Sequence, residues 1–129
     1  MINGAHFLLY SPDADADRAF IREVLGLASV DAGGGWLIFG LPASELAVHP
    51  TEDGGGKVHS GHKLLDTHLY FMCEDLQATI KALASRKVKC TEVSTERWGI
   101  RTTIPLPSGG EVGLYQPTHP TALHLSGAE

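Results

Sequence analysis

Two histidines open two similar stretches of the chain. His6 begins His6-Phe7-Leu8-Leu9-Tyr10-Ser11-Pro12-Asp13, and His68 begins His68-Leu69-Tyr70-Phe71-Met72-Cys73-Glu74-Asp75. Each stretch is a short apolar run with an imidazole at its start and an acidic turn at its end. An imidazole in that place can ligate a metal, or it can be a hydrogen-bonded core group. A polar residue at the same internal place of a repeated unit suggests two copies of one module around a shared site.

The elements that must position these histidines follow from periodicity. Ile2 to Tyr10 reads as a strand, and Ser11-Pro12-Asp13 breaks it. Asp13 or Asp15 can cap a helix running to about Leu25, with an apolar stripe of Ala16, Ala19, Phe20 and Val24 and a glycine stop at Gly26. Leu27 to Ala32 and Trp36 to Phe39 read as a hairpin across Gly33-Gly34-Gly35, and Glu45 to His49 as a fourth strand. The glycine run is no phosphate loop, since it leads into a strand and no Lys-Ser/Thr follows. Thr51 to Leu65 reads as a loop between modules, with the run Gly54-Gly55-Gly56 and two histidines, His59 and His62. The plan then repeats: a strand over His68 to Cys73, a helix from Glu74-Asp75 through Leu76, Ile80, Leu83 and Ala84, and strands over Val88 to Val93, Trp98 to Leu106 and Val112 to Gln116. Pro107-Ser108-Gly109-Gly110 is the turn between the last two. The order is βαβββ twice, with module one at about 1–50, a linker at 51–65, module two at about 66–117 and a tail at 118–129.

Composition bounds the rest. A chain of 129 residues builds one domain with a core. A net charge of −5 argues against a nucleic-acid partner, because phosphate binding needs clustered Lys and Arg. No apolar run approaches the roughly 20 residues of a membrane span, and the first residues do not read as a signal peptide. Cys73 and Cys90 are too few for a disulfide framework and read as reduced thiols, which fits a cytoplasmic protein.

These stretches resemble the vicinal oxygen chelate superfamily, which includes glyoxalase I, bleomycin-resistance proteins, fosfomycin-modifying transferases and extradiol dioxygenases. The two histidine strands carry the resemblance, together with Val24-Leu25-Gly26 at the first helix end and the final turn leading into Glu111-Val112-Gly113-Leu114-Tyr115-Gln116-Pro117. It spans about Ile2 to Pro117. It implies an α+β fold in which two βαβββ modules curl a mixed sheet into a cup, commonly in a homodimer.

The resemblance also implies a metal site. His6 and His68 match the family's first-strand ligand positions, and Glu45, which precedes a leucine, matches the first-module carboxylate. The fourth ligand falls on Gly113, which has no side chain. Glu111 shares its strand face and stands roughly 6–7 Å along the strand; His49 faces the same side as Glu45. The implied metal set is His6, Glu45, His68 and Glu111, suited to Zn, Ni, Co, Mn or Fe(II), with Glu45 or Glu111 moving a proton beside a polarised carbonyl. Tyr10, Trp36, Tyr70, Met72, Trp98 and Tyr115 are the expected cup lining around a small-molecule ligand, with Ile38 and Ile100 as further candidates. His59, His62, His119 and His124 are expected in solvent. Two functions follow: a metal-dependent lyase or isomerase of glyoxalase type, or a metal-free binding protein of the antibiotic-sequestering type that needs only the cup and its aromatic residues. Extradiol dioxygenation fits less well, since those members usually have more modules.

Overall fold

The computed structural model describes residues 7–45, 47, 57–64 and 66–120. Helix α1 spans Ala14–Glu23. Asp13 starts it, its carboxylate accepting from the Ala16 amide at 3.2 Å, which satisfies one of the donors a helix leaves open. Gly26 stops it in the left-handed region, at φ +72°. Strands β1 (Ser29–Asp31) and β2 (Leu37–Phe39) then pair antiparallel, with Val30 opposite Ile38. The Asp31 carboxylate accepts from the Gly33 amide at 2.7 Å and the Gly35 amide at 3.3 Å, so a side chain closes the turn along with the glycines.

A second hairpin stands where the glycine content suggested only a loop. Strands β3 (Lys57–His59) and β4 (His62–Leu64) pair antiparallel, His59 opposite His62. Ser60 and Gly61 both have positive φ, 50° and 79°, as a two-residue hairpin turn requires. All of β4 is exposed, as is Val58. With these residues in solvent, burial imprints no period of two on them.

The second half is one strand, one helix and three strands: β5 (Tyr70–Met72), α2 (Leu76–Ser85), β6 (Ser94–Glu96), β7 (Gly99–Pro105) and β8 (Glu111–Pro117). They form a mixed sheet in the order β5-β8-β7-β6, with β5 parallel to β8 and the other pairs antiparallel. Asp75 caps α2 through the Ala78 amide at 3.0 Å, and the Gln116 side-chain carbonyl accepts from the Leu76 amide at 2.9 Å, tying the helix start to β8.

Alternation along the strands separates two faces. Val112 and Leu114 of β8 and Ile104 of β7 are buried with Leu76, Leu83, Val88 and Leu106, and Phe20, Val24, Phe71, Ile80 and Ile100 pack against them. Both helices thus supply side chains to one face of the sheet. Ile100, a candidate for the cup, belongs to this core. The opposite face carries Tyr70 and Met72 of β5, Glu111, Gly113 and Tyr115 of β8, and Arg101 and Thr103 of β7, as the register dictates.

Three strand expectations shift. Phe7–Tyr10 has no ladder partner among the described residues. Val88–Val93 is not a strand: Lys87 turns the chain at φ 65°, and the Val88 amide donates to the Leu83 carbonyl at 3.0 Å, closing the helix end instead of joining a ladder. The Thr91 amide donates to the Thr103 carbonyl at 3.0 Å, but the paired strand begins only at Ser94. Glu45 lies outside any strand, and positions 46 and 48–50 of the expected fourth strand fall outside the described residues, as do His6 and His124.

Candidate functional site

The face away from the helices holds an aromatic cluster. Tyr70, Trp98 and Tyr115 meet edge to face in all three pairings, with ring centroids 5.6, 5.8 and 5.2 Å apart, the arrangement that ring quadrupoles favour. Tyr115 is buried, whereas Tyr70 and Trp98 are 36% and 37% exposed and offer ring surface to a ligand. Met72, half-buried, lies in register with Tyr115 on the same face. Two glycines make this packing possible. A side-chain carbon on Gly99 would meet the Gln116 carbonyl oxygen at 2.5 Å and the Tyr115 ring at 3.0 Å. One on Gly113 would fall inside the Tyr70 ring, far closer than any real contact.

The Gly113 geometry decides what can stand at the implied fourth ligand position. Tyr70 and Gly113 are register partners across the parallel β5–β8 ladder. The ring lies over the glycine and fills the volume from which a glutamate there would project.

Polar groups gather at one end of the cluster. The Tyr115 hydroxyl donates to Glu45 Oε1 at 3.1 Å and meets His119 Nε2 at 3.1 Å. His119 stacks on the Tyr115 ring at 6.0 Å, lies 3.6 Å from Glu45 Oε1, and holds its own Nδ1 2.8 Å from the Pro120 carbonyl. Burial first, and then the Glu45 carboxylate, push the Tyr115 phenol up to about 12. It therefore remains a neutral donor at neutral pH. His119 was expected in solvent with the tail; its side chain is only 30% exposed. The backbone that carries it is still attached to the sheet, because the Thr118 amide donates to the Trp98 carbonyl at 3.0 Å.

At the other end lies a cleft of about 260 Å³ lined by Leu9, Thr67, His68, Leu69, Tyr70, Thr103, Glu111, Val112 and Gly113. His68 and Glu111, named from sequence as ligands, thus border one space. Glu111 is held from behind: the Thr103 hydroxyl donates to its Oε1 at 2.9 Å, and Thr91 Oγ1 lies 2.7 Å from Thr103 Oγ1. With its own proton committed to Glu111, Thr103 accepts from Thr91. Sequence reasoning missed both threonines, because the pairing depends on a cross-strand register that no local pattern announces.

The remaining named residues stand apart from this cluster in their described contacts. Tyr10 bonds the His59 ring through its hydroxyl at 3.1 Å, and Trp36 lies under the Arg18 guanidinium at 4.7 Å. Arg101, beside Trp98, is engaged by Glu96 at 3.2 Å, and the Ser94 hydroxyl and Arg101 together hold the Glu96 carboxyl below its usual range.

Three carboxylate or imidazole donors are the least that a resident metal needs. Among the described residues no group of three or more His, Cys, Asp or Glu side chains converges in that way. Glu45 is turned to Tyr115, Gly113 has nothing to give, and Tyr70 occupies its place. The described donors do not by themselves fit a metal centre.

No family model and no curated protein matches the sequence. Solved structures do. The antibiotic-binding protein TnmS3 from Streptomyces sp. CB03234 superposes with a TM-score of 0.60 at 18% identity, over 92% of this chain and 99% of that one. Lactoylglutathione lyase from Agrobacterium tumefaciens gives 0.52 at 21% identity, over 84% and 88%. An integron cassette protein from the mobile metagenome of V. Cholerae gives 0.51 at 18% identity, over 90% and 98%. The chain shares the glyoxalase-like fold of these structures.

Proposed function

We propose that this protein binds a small organic molecule against the open face of the four-stranded sheet, with Tyr70 and Trp98 as the binding surface, the buried Tyr115 behind them, and no metal in the site. The observation that carries this reading is the interlock of Tyr70 with Gly113. Where the fold's resemblance implies a carboxylate ligand, this chain has an aromatic ring in the same volume. Exposed ring surface beside a few oriented polar groups is the usual make-up of a small-molecule site. The likeness to an antibiotic-binding protein, at a TM-score of 0.60, agrees with the reading.

In this account the chain is one domain of two βαβββ modules, about 1–50 and 66–117, and it works as a homodimer in the cytoplasm. Light scattering at micromolar concentration checks the dimer, and a monomer mass would refute it. Val30, Trp36 and Val58 are 67%, 59% and 76% exposed, apolar surface of the kind that a second copy covers.

A second reading remains a metal-dependent lyase or isomerase of glyoxalase type. One observation favours it: His68 and Glu111 line the same cleft. It requires His6, Glu45, His68 and Glu111 to gather on a divalent ion such as Zn, Ni, Co, Mn or Fe(II), and His6 lies outside the described residues. Metal analysis of untagged protein separates the two. The binding reading expects under about a tenth of an equivalent and no thermal shift with Zn, Ni, Mn or Fe(II), since an ion that binds the native state must stabilise it. Stoichiometric metal that His68→Ala removes would establish the second reading.

A further inference from the structure

The cleft beside the aromatic cluster has a definite sign. Among its described lining residues, Glu111 and His68 are the ionisable side chains besides the Tyr70 phenol, and none is a Lys or Arg. Glu111 is on the surface, yet it does not behave as a freely rotating hairpin carboxylate. A chain of two hydroxyls, Thr91 to Thr103 to Glu111, fixes one of its oxygens at 2.9 Å. The Thr103 amide in turn donates to Thr91 Oγ1 at 2.9 Å, which anchors that chain to the backbone. The second carboxylate oxygen has no described partner. The Tyr70 ring borders the same cleft and continues into the cluster through its edge contact with Trp98 at 5.6 Å.

We infer that this cleft is an ammonium subsite: the ligand carries a protonated amine that Glu111 accepts from, with the amine-bearing arm passing over the Tyr70 ring and the body of the ligand resting on Tyr70 and Trp98. The inference rests on the binding reading above and names the ligand class for that site. A carboxylate oriented in advance loses little entropy on pairing. The face of a phenol attracts a cation on the same path. The space, about 260 Å³, has room for an aminoalkyl arm. The chain's net charge of −5 draws cations toward it from a distance.

Three probes of nearly equal shape test this: phenethylamine, 2-phenylethanol and phenylacetate, titrated by calorimetry at pH 7.5 and low salt into the wild type, Glu111→Gln and Trp98→Ala. The amine should bind about three- to tenfold more tightly than the alcohol, as an exposed charge pair allows, and the acid more weakly than either. In Glu111→Gln the amine should lose its preference over the alcohol. In Trp98→Ala both should weaken together. Added salt should erode the amine preference and leave the alcohol unchanged. Equal amine and alcohol affinities in the wild type, or a preference for the acid, would overturn the ammonium subsite and leave the binding reading standing. Failure of all three probes to bind would overturn both. Glu111→Gln changes one exposed side chain, and matched thermal melts confirm that the comparison is between folded proteins.

Discussion

Gly113 and Tyr70 act as one unit. Substituting Gly113→Ala places a methyl inside the Tyr70 ring, so the ring must swing away or the strands must part. We expect a loss of about 1–3 kcal/mol, the usual cost of overpacking. In a Tyr70→Ala background the same change should cost less than about 0.5 kcal/mol, because the obstacle is gone. Denaturant titrations of the four proteins give the coupling directly, and purely additive losses would refute the interlock. Tyr115 supplies a second test at this scale. Its phenol is raised to about 12, so the folded state holds that proton more tightly than the unfolded chain. The corresponding stability is fully present below the unfolded value near 10 and is lost as pH rises through about 12. Ultraviolet titration should show a last phenolate step near 12 that Tyr115→Phe removes; its persistence in that variant would contradict the assignment. The sequence already marked Gly113 as a departure, because the final turn sets its register. It could not supply the ring that fills the gap, since the Tyr70–Gly113 pairing crosses two strands distant in the chain. His119 was read as tail for the same reason: its partners, Tyr115 and Glu45, converge only in the folded chain.

The elements were legible where local chemistry marks them. Asp13 and Asp75 announce both helix starts, and both accept the amide three residues on. The Gly33–Gly35 hairpin and the final turn stand where glycine demanded them. The β3–β4 hairpin was missed because all of β4 and Val58 face solvent, so burial left no alternation to read. Val88–Val93 misled for the opposite reason: its β-branched residues suit a strand, yet Val88 is spent on the core and on closing α2. One polar contact between elements had no local signature. Asp17 of α1 is only 6% exposed, accepts from the Ser11 hydroxyl at 2.6 Å, and accepts from the Ser108 amide of the β7–β8 turn at 3.1 Å. It fastens α1 to the turn that precedes Glu111 and Gly113. Asp17→Ala should cost about 1.5–3 kcal/mol, the range for hydrogen bonds to a charged acceptor, and Asp17→Asn less. A thermal melt of Asp17→Ala indistinguishable from wild type would show that the contact contributes nothing.

For the molecule as a whole, the four-stranded sheet divides the labour. One face is sealed by both helices and carries the core; the other is left to Tyr70, Trp98, Tyr115 and the cleft at Glu111. A helix-backed sheet holds those rings rigidly, and rigid aromatic surface binds a ligand with little ordering cost. The central claim is that this surface binds without a metal. Its most direct measurement is a calorimetric titration of phenethylamine into EDTA-treated protein, beside the untreated protein and Trp98→Ala. The account predicts equal affinity before and after EDTA and a marked loss in Trp98→Ala. Binding that disappears with EDTA and returns on adding a divalent metal, or that survives Trp98→Ala unchanged, would contradict it.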